Sequence, residues 1–171
     1  MTARTLAIAI PAATAIVVAC LSALAAYFAG KRERRRGLYS EAVKAAVAWR
    51  EMLYRVRRRE KAQERALINQ SHDIQEQQTY FRAWVGSESK YMQRSYDILV
   101  AEIKKATDEL ISDAWDDPVR PVPGNSAPDD EHPDIGACVD SFLRDVRSHL
   151  SPWPWRKVLV VARNRKAARG G

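Results

Sequence analysis

The chain has 171 residues, enough for one modest domain and an anchor. Its net charge is +7, its pI about 9.6 and its mean hydropathy −0.40, so most of it is basic and soluble, a balance that permits anionic partners. The two cysteines, Cys20 and Cys138, lie far apart and form no CxxC pair, which argues against a disulfide scaffold or zinc ribbon and fits a reducing compartment.

The first element is apolar. Residues 5–29, TLAIAIPAATAIVVACLSALAAYFA, carry no charge. About 20 helical residues cross a bilayer core of about 30 Å, so this stretch is predicted to be a transmembrane helix, with residues 1–4 outside. Pro11 is tolerated in such a helix, and Tyr27 and Phe28 suit its interfacial end. Segment 30–36 is basic: Lys31, Arg32, Arg34, Arg35 and Arg36 surround a single acid, Glu33. Basic flanks stay cytoplasmic, so the expected topology is N-terminus out and C-terminal domain in, at the cell membrane. These five bases are expected at anionic headgroups, contributing about 1 kcal/mol each. Two rival readings exist. Ala23-Leu24-Ala25 is an AxA-like signal-peptidase site, but the apolar run is longer than a signal h-region. Val17-Val18-Ala19-Cys20 resembles a bacterial lipobox, which would make the chain an exported lipoprotein processed at Cys20. The chain stays apolar beyond Cys20, where lipoproteins turn polar.

Residues 37–116 are predicted to be helical. They contain no proline, and Gly86 is the one glycine after Gly37. Alanine, glutamate, arginine, glutamine and leucine dominate, all good helix formers. Trp49, Val56, Gln63, Gln70, Gln77 and Trp84 recur every seven residues, and Leu53, Glu60, Leu67, Ile74 and Phe81 form a second row offset by four. This is a heptad seam with apolar ends and a polar middle. Met92, Tyr96, Leu99, Ile103 and Leu110 continue as one apolar stripe. The predicted interaction seam is therefore Trp49, Leu53, Val56, Leu67, Ile74, Phe81, Trp84, Met92, Tyr96, Leu99, Ile103 and Leu110. Gly86 and Ser87 read as a C-cap and an N-cap, so a break is expected near 86. Without it the rod would be roughly 125 Å long and would need a partner chain. Folding at Gly86 makes a hairpin that sets Arg55, Arg57, Arg58, Arg59, Lys61 and Arg65 opposite Asp108, Glu109, Asp113, Asp116 and Asp117. The basic run also invites a nucleic-acid reading; the blander one is a solvated helix face.

Residues 117–134 hold five prolines and several acids and read as an extended linker. Residues 135–150 are predicted to form a short amphipathic helix on Ile135, Val139, Phe142, Val146 and Leu150. In the tail 151–171, Trp153, Trp155, Arg156 and Lys157 suit a membrane interface; packing on the helical domain is the alternative.

No catalytic, metal or cofactor site is expected. His72, His132 and His149 stand more than four residues from one another and from any cysteine, so ligand spacing is missing. Cys138 reads as a small buried residue, and phosphate-loop and dinucleotide patterns do not occur. Arginine outnumbers lysine 20 to 8 and alanine is abundant, a bias typical of GC-rich bacterial codons. The expected fold is all-α: one N-terminal transmembrane helix, a long helical hairpin or coiled coil, and a short C-terminal amphipathic helix. The expected function is non-enzymatic: a single-pass, membrane-anchored module that binds or organises a protein partner, or a second copy, on the cytoplasmic face. The alternatives are a membrane-tethered binder of nucleic acid or anionic lipid, and the exported lipoprotein. No small-molecule substrate is evident.

Overall fold

Long runs of helix formers interrupted by few glycines and prolines give a chain built from helices. The computed structural model describes residues 3–116, 133–151, 158 and 160–162, with side chains from Thr14 onward. Among these there is no strand. The elements are α1 (Ala3–Arg57), a single 3₁₀ turn (Lys61–Gln63), α2 (Glu64–Glu88), α3 (Lys90–Asp116) and α4 (Gly136–His149). The chain divides into two units, Met1–Leu38 and Tyr39–Gly171. The first unit is the apolar part of α1 with its basic flank. The second is a helical bundle.

In the bundle, Tyr39–Arg57 of α1 lies antiparallel to α2. Tyr39 packs edge-on against Trp84 at 5.2 Å, and Gln78 Nε2 donates to the Ala45 carbonyl at 3.3 Å. α2 lies antiparallel to α3, joined by the Arg82–Asp97 ion pair at 2.6 Å. α4 lies antiparallel to α3, with Tyr96 beside Phe142 and Ser95 donating to Asp145 at 2.6 Å.

Two clusters form the core. One joins Tyr39, Ala42 and Ala46 to Val85, Met92, Tyr96, Leu99 and Ile103, and to Phe142 and Val146 of α4. The other joins Met52, Leu53 and Val56 to Leu67, Ile74, Ile111 and Ala114. Burying each large apolar side chain stabilises the fold by about 1.5–3 kcal/mol. Ala42 and Ala46 are fully buried, and such small residues let α1 approach its neighbours closely.

Of the two breaks, one lies three residues past Gly86, close to the expected place, and the other, after Arg57, was not expected. α1 ends at Arg57, where no glycine or proline stands. Arg59 N–H donates to the Val56 carbonyl, tightening the last turn, and Glu60 is extended at φ −100°, ψ 151°. Arg55 and Arg57 lie in that last turn, where cations favour the negative end of the helix dipole. Gly86 stays inside α2. The second break is the single residue Ser89, extended at φ −168°, ψ 127°. Its N–H donates to the Val85 carbonyl, and its own carbonyl accepts from the Gln93 N–H that opens α3. The one long arm expected over 37–85 is thus two antiparallel helices. Cluster formation explains why: Leu67 and Ile74 reach Leu53 and Val56 only if the chain turns back after Arg57.

α4 starts where Asp134 Oδ1 accepts the Gly136 N–H at 2.8 Å. Its last turn carries Arg147 and His149, again at the negative end of the dipole.

Candidate functional site

The apolar stretch of α1 has no protein over it. Ile16, Val17, Val18, Leu21, Leu24, Tyr27 and Phe28 are each more than half exposed. α1 contains one stretch long and apolar enough to cross a membrane, near the N-terminus, and none of its apolar window is buried inside the chain. A core helix of a soluble domain would be covered. A signal sequence passes the same length and composition test. Of its basic flank, Lys31, Arg34 and Arg36 are exposed and Arg32 and Arg35 half-buried, with Arg36 paired to Glu33 at 3.3 Å. Cys20 is exposed on this helix. Trp153, Trp155, Arg156 and Lys157 lie outside the described residues; just beyond them Val158 is exposed and Val160 is buried in the first cluster.

The twelve seam residues lie within the bundle. Leu53, Val56, Leu67, Ile74, Met92, Tyr96, Leu99 and Ile103 are buried, and Trp49, Phe81, Trp84 and Leu110 pack against them partly covered. They are occupied by one another rather than offered to a partner. What α2 and α3 leave outside is a charged surface on which Ile68, Tyr80 and Tyr91 are roughly half exposed or more.

The basic run and the acidic end of α3 do share one end of the bundle, because α1 and α3 run parallel with α2 returning between them. The contact is made by one residue. Arg59 is 6% exposed; its Nη1 donates to the Ala114 carbonyl and its Nη2 to the Trp115 carbonyl at 2.8 Å. Its guanidinium lies over the Trp115 ring at 5.0 Å, and its Nε faces Glu64 at 3.8 Å. Arg59 thereby satisfies carbonyls at the C-terminus of α3 that have no helical partner. Arg55, Arg58, Lys61 and Arg65 are exposed and hold no ion pair among the described residues, so the mutual neutralisation expected of the two arms is not seen for them.

Between α2 and α3 runs a groove of about 460 Å³, lined by Gln75, Gln78 and Arg82 from one helix and Tyr96, Asp97 and Lys104 from the other. Arg82 grips Asp97 through both carboxylate oxygens, at 2.6 and 3.1 Å, and this pairing holds the guanidinium above its ordinary pKa. Lys104 lies over the Trp49 ring at 4.9 Å, and Trp49 Nε1 donates to Asp108 at 2.9 Å. Tyr96 is fully buried and its hydroxyl oxygen has no hydrogen-bond partner. Burial first, and the nearby Asp97 charge second, push its phenol well above the usual range.

The titratable residues considered from sequence are scattered. His72 is exposed, His132 lies outside the described residues, and the His149 ring stacks edge-on to Tyr39 at 6.2 Å. Cys138 and His149 stand about 16 Å apart along α4, so they form no nucleophile pair. Burial pushes the Cys138 thiol up, and its Sγ–H donates to the Ile135 carbonyl at 3.0 Å. No cluster of three or more potential metal ligands occurs among the described residues. The buried Ser95–Asp145 bond, the Arg59 contacts and the groove were not anticipated. One signal existed: Asp145 sits beside Val146 and three residues after Phe142, a polar residue at a core register.

The chain matches no protein-family model, and no curated protein and no solved structure is significantly similar to it.

Proposed function

We propose that this chain is a single-pass, membrane-anchored, non-enzymatic interaction module, N-terminus out, whose helical bundle works on the cytoplasmic face. The carrying observation is the uncovered apolar length of α1 followed at once by five bases. In this reading α2 and α3 act as a helical hairpin and α4 as the amphipathic helix that completes the bundle. The Trp153–Lys157 tail adds a second, interfacial contact with the same membrane. Because the seam is filled from within, a protein partner would meet the outer face of α2, where Ile68 and Tyr80 are exposed.

A reporter fused after Gly171 tests the topology. Cytoplasmic fluorescence with no exported phosphatase activity is the expected result; the reverse result overturns the orientation. The lipoprotein reading predicts that Cys20→Ala releases the chain from the membrane and changes its gel mobility. We expect neither change.

A second reading rests on the free bases. Arg55, Arg58, Lys61 and Arg65 gather around one turn, unpaired and exposed, which suits an anionic polymer such as nucleic acid. Salt-dependent retention of DNA by the full chain, lost on neutralising these four, would favour it. No retention at low salt removes it.

A further inference from the structure

We propose that one end of the bundle, formed by the α2–α3 turn and the C-terminus of α4, docks on the anionic surface of the membrane, with Lys90, Arg94 and Arg147 against lipid phosphates and Tyr91 and Val158 in the interface. The proposal rests on the reading of α1 as a membrane anchor and adds a contact made by the bundle itself.

Three elements meet at this end. Tyr39 packs on Trp84 and on His149, so the start of the bundle in α1, the end of α2 and the end of α4 lie together. α2 continues past Trp84 to Glu88, about 6 Å beyond that contact, before Ser89 turns the chain into α3. Chain connectivity limits how far this end can stand from the bilayer. From Phe28, at the end of the apolar stretch, to Tyr39 is about 16 Å of helix. From Phe28 to Arg57, at the opposite end, is about 44 Å. With a Debye length of about 8–10 Å, headgroup charge acts on the first end far more than on the second.

The charge at the first end is positive. Lys90, Arg94 and Arg147 are exposed, each within about one helical turn of it, and hold no ion pair among the described residues. The acids beside them are occupied or covered. Glu41 pairs with Lys44 at 2.7 Å, Asp145 is buried and accepts from Ser95, and Glu88 is half-buried. At the opposite end Arg55, Arg58, Lys61 and Arg65 share the surface with the exposed acids Glu109, Asp113 and Asp116.

The first end is also partly apolar. A cleft of about 690 Å³ opens between the turn and the end of α4, lined by Ser89, Lys90, Tyr91, His149, Val158 and Val161. Tyr91 is 54% exposed and Val158 64%. Single exposed apolar residues are ordinary. Here a tyrosine and valines share one cleft with a base, which suits the boundary where headgroups meet acyl chains. A soluble anion would use the bases and leave the apolar walls in water, whereas a lipid surface engages both.

The full-length chain, with Cys20→Ser and Cys138→Ser, would be reconstituted in vesicles of phosphatidylcholine and phosphatidylglycerol bearing headgroup spin labels. A fluorophore at Val158→Cys should be quenched. One at Ser112→Cys, an exposed site about 33 Å along α3 from Lys90, should stay bright. Each base at an anionic surface strengthens docking by about fivefold, so Lys90→Gln, Arg94→Gln and Arg147→Gln together should shift the docked equilibrium by roughly a hundredfold and abolish most of the quenching. Vesicles of phosphatidylcholine alone should do the same. Arg55→Gln, Arg58→Gln and Arg65→Gln, the same charge change at the opposite end, should leave the quenching unchanged. A chain that does not float with the vesicles overturns the anchor reading and the docking with it. A chain that floats with both sites equally bright or equally quenched overturns the docking alone, as does quenching indifferent to the first three substitutions.

Discussion

α1 contains two alanine-rich stretches with opposite surroundings. Residues 14–29 and 39–57 are both alanine-rich and both helical. In the first, apolar residues occupy every side of the helix and none is covered by protein: Val17 and Val18 are adjacent, Ile16 and Leu21 stand on different faces, and all are exposed. In the second, apolar residues form a stripe, and Tyr39, Ala42, Ala46, Leu53 and Val56 are almost wholly buried while Ser40, Glu41, Glu51 and Arg55 face water. Fourteen of 16 residues are apolar in the first stretch and 12 of 19 in the second, which also carries six charges. The angular distribution differs as well. A helix apolar all round suits a surrounding apolar solvent, whereas a striped helix suits one protein face.

The largest expected effect comes from placing charge in the first stretch. Val18→Arg combined with Leu21→Arg costs about 2.5–3.5 kcal/mol per arginine at a helix centre in the bilayer. The doubly substituted chain should leave the carbonate-resistant membrane fraction, while the unfolding midpoint of the bundle stays unchanged. Loss of bundle stability instead would mean that the stretch packs on protein. The complementary change is Leu53→Ala. It empties a fully buried site in the second cluster and should cost about 2–5 kcal/mol in denaturant unfolding. Leu21→Ala removes the same atoms from an exposed site and should leave that transition where it is.

This contrast marks how much the sequence disclosed. Helix content and apolar periodicity are local properties, so the apolar stretch of α1 and the inward residues of α2 and α3 could be read directly. The break at Arg58–Gln63 could not, because it follows no glycine or proline; it depends on Leu67 and Ile74 finding Leu53 and Val56. The run of arginines admits both a nucleic-acid surface and a solvated helix face, and spacing did not reveal that Arg59 turns in to the carbonyls at the C-terminus of α3. The break near Gly86 was legible, but it falls at Ser89 while Gly86 itself stays helical, since a glycine within a helix is tolerated when neighbouring packing holds it. The groove, and the pairing of Ser95 with Asp145, required the register between α2, α3 and α4, which one-dimensional spacing does not contain.

Arg59 tests the first break, after Arg57. Arg59→Ala leaves the Ala114 and Trp115 carbonyls without their donors and should cost about 1–3 kcal/mol. Arg59→Lys should recover only part of it, because one ammonium cannot reproduce a planar fork over Trp115. Equal stability of all three would mean that Arg59 is solvated and the turn is held by the apolar cluster alone. Tyr96 gives a smaller effect confined to alkaline solution. Its phenol ionises near 10 in the unfolded chain and higher in the folded one. The resulting stability is whole below pH 10 and is lost as pH rises past that point toward the folded value. Tyr96→Phe should therefore unfold with a shallower alkaline decline than the parent, and parallel declines would contradict the burial of this hydroxyl.

The smallest expected effect is at Gly86, where the sign carries the information. In the α2 interior, glycine is about 0.8–1 kcal/mol less favourable than alanine. A Cβ at this position would come within 2.8 Å of Gln93 Cδ, the far end of a flexible side chain on α3. Gln93 can swing outward, so the contact is relieved at small cost. Gly86→Ala should leave the bundle unchanged or stabilise it by up to about 1 kcal/mol. Had the chain turned at Gly86 in the left-handed conformation of a helix C-cap, the same substitution would be strained and destabilising. A clear loss of stability, read in thermal or denaturant unfolding, would restore the turn to Gly86 and remove Ser89 as the one-residue break that sets the register of α2 against α3.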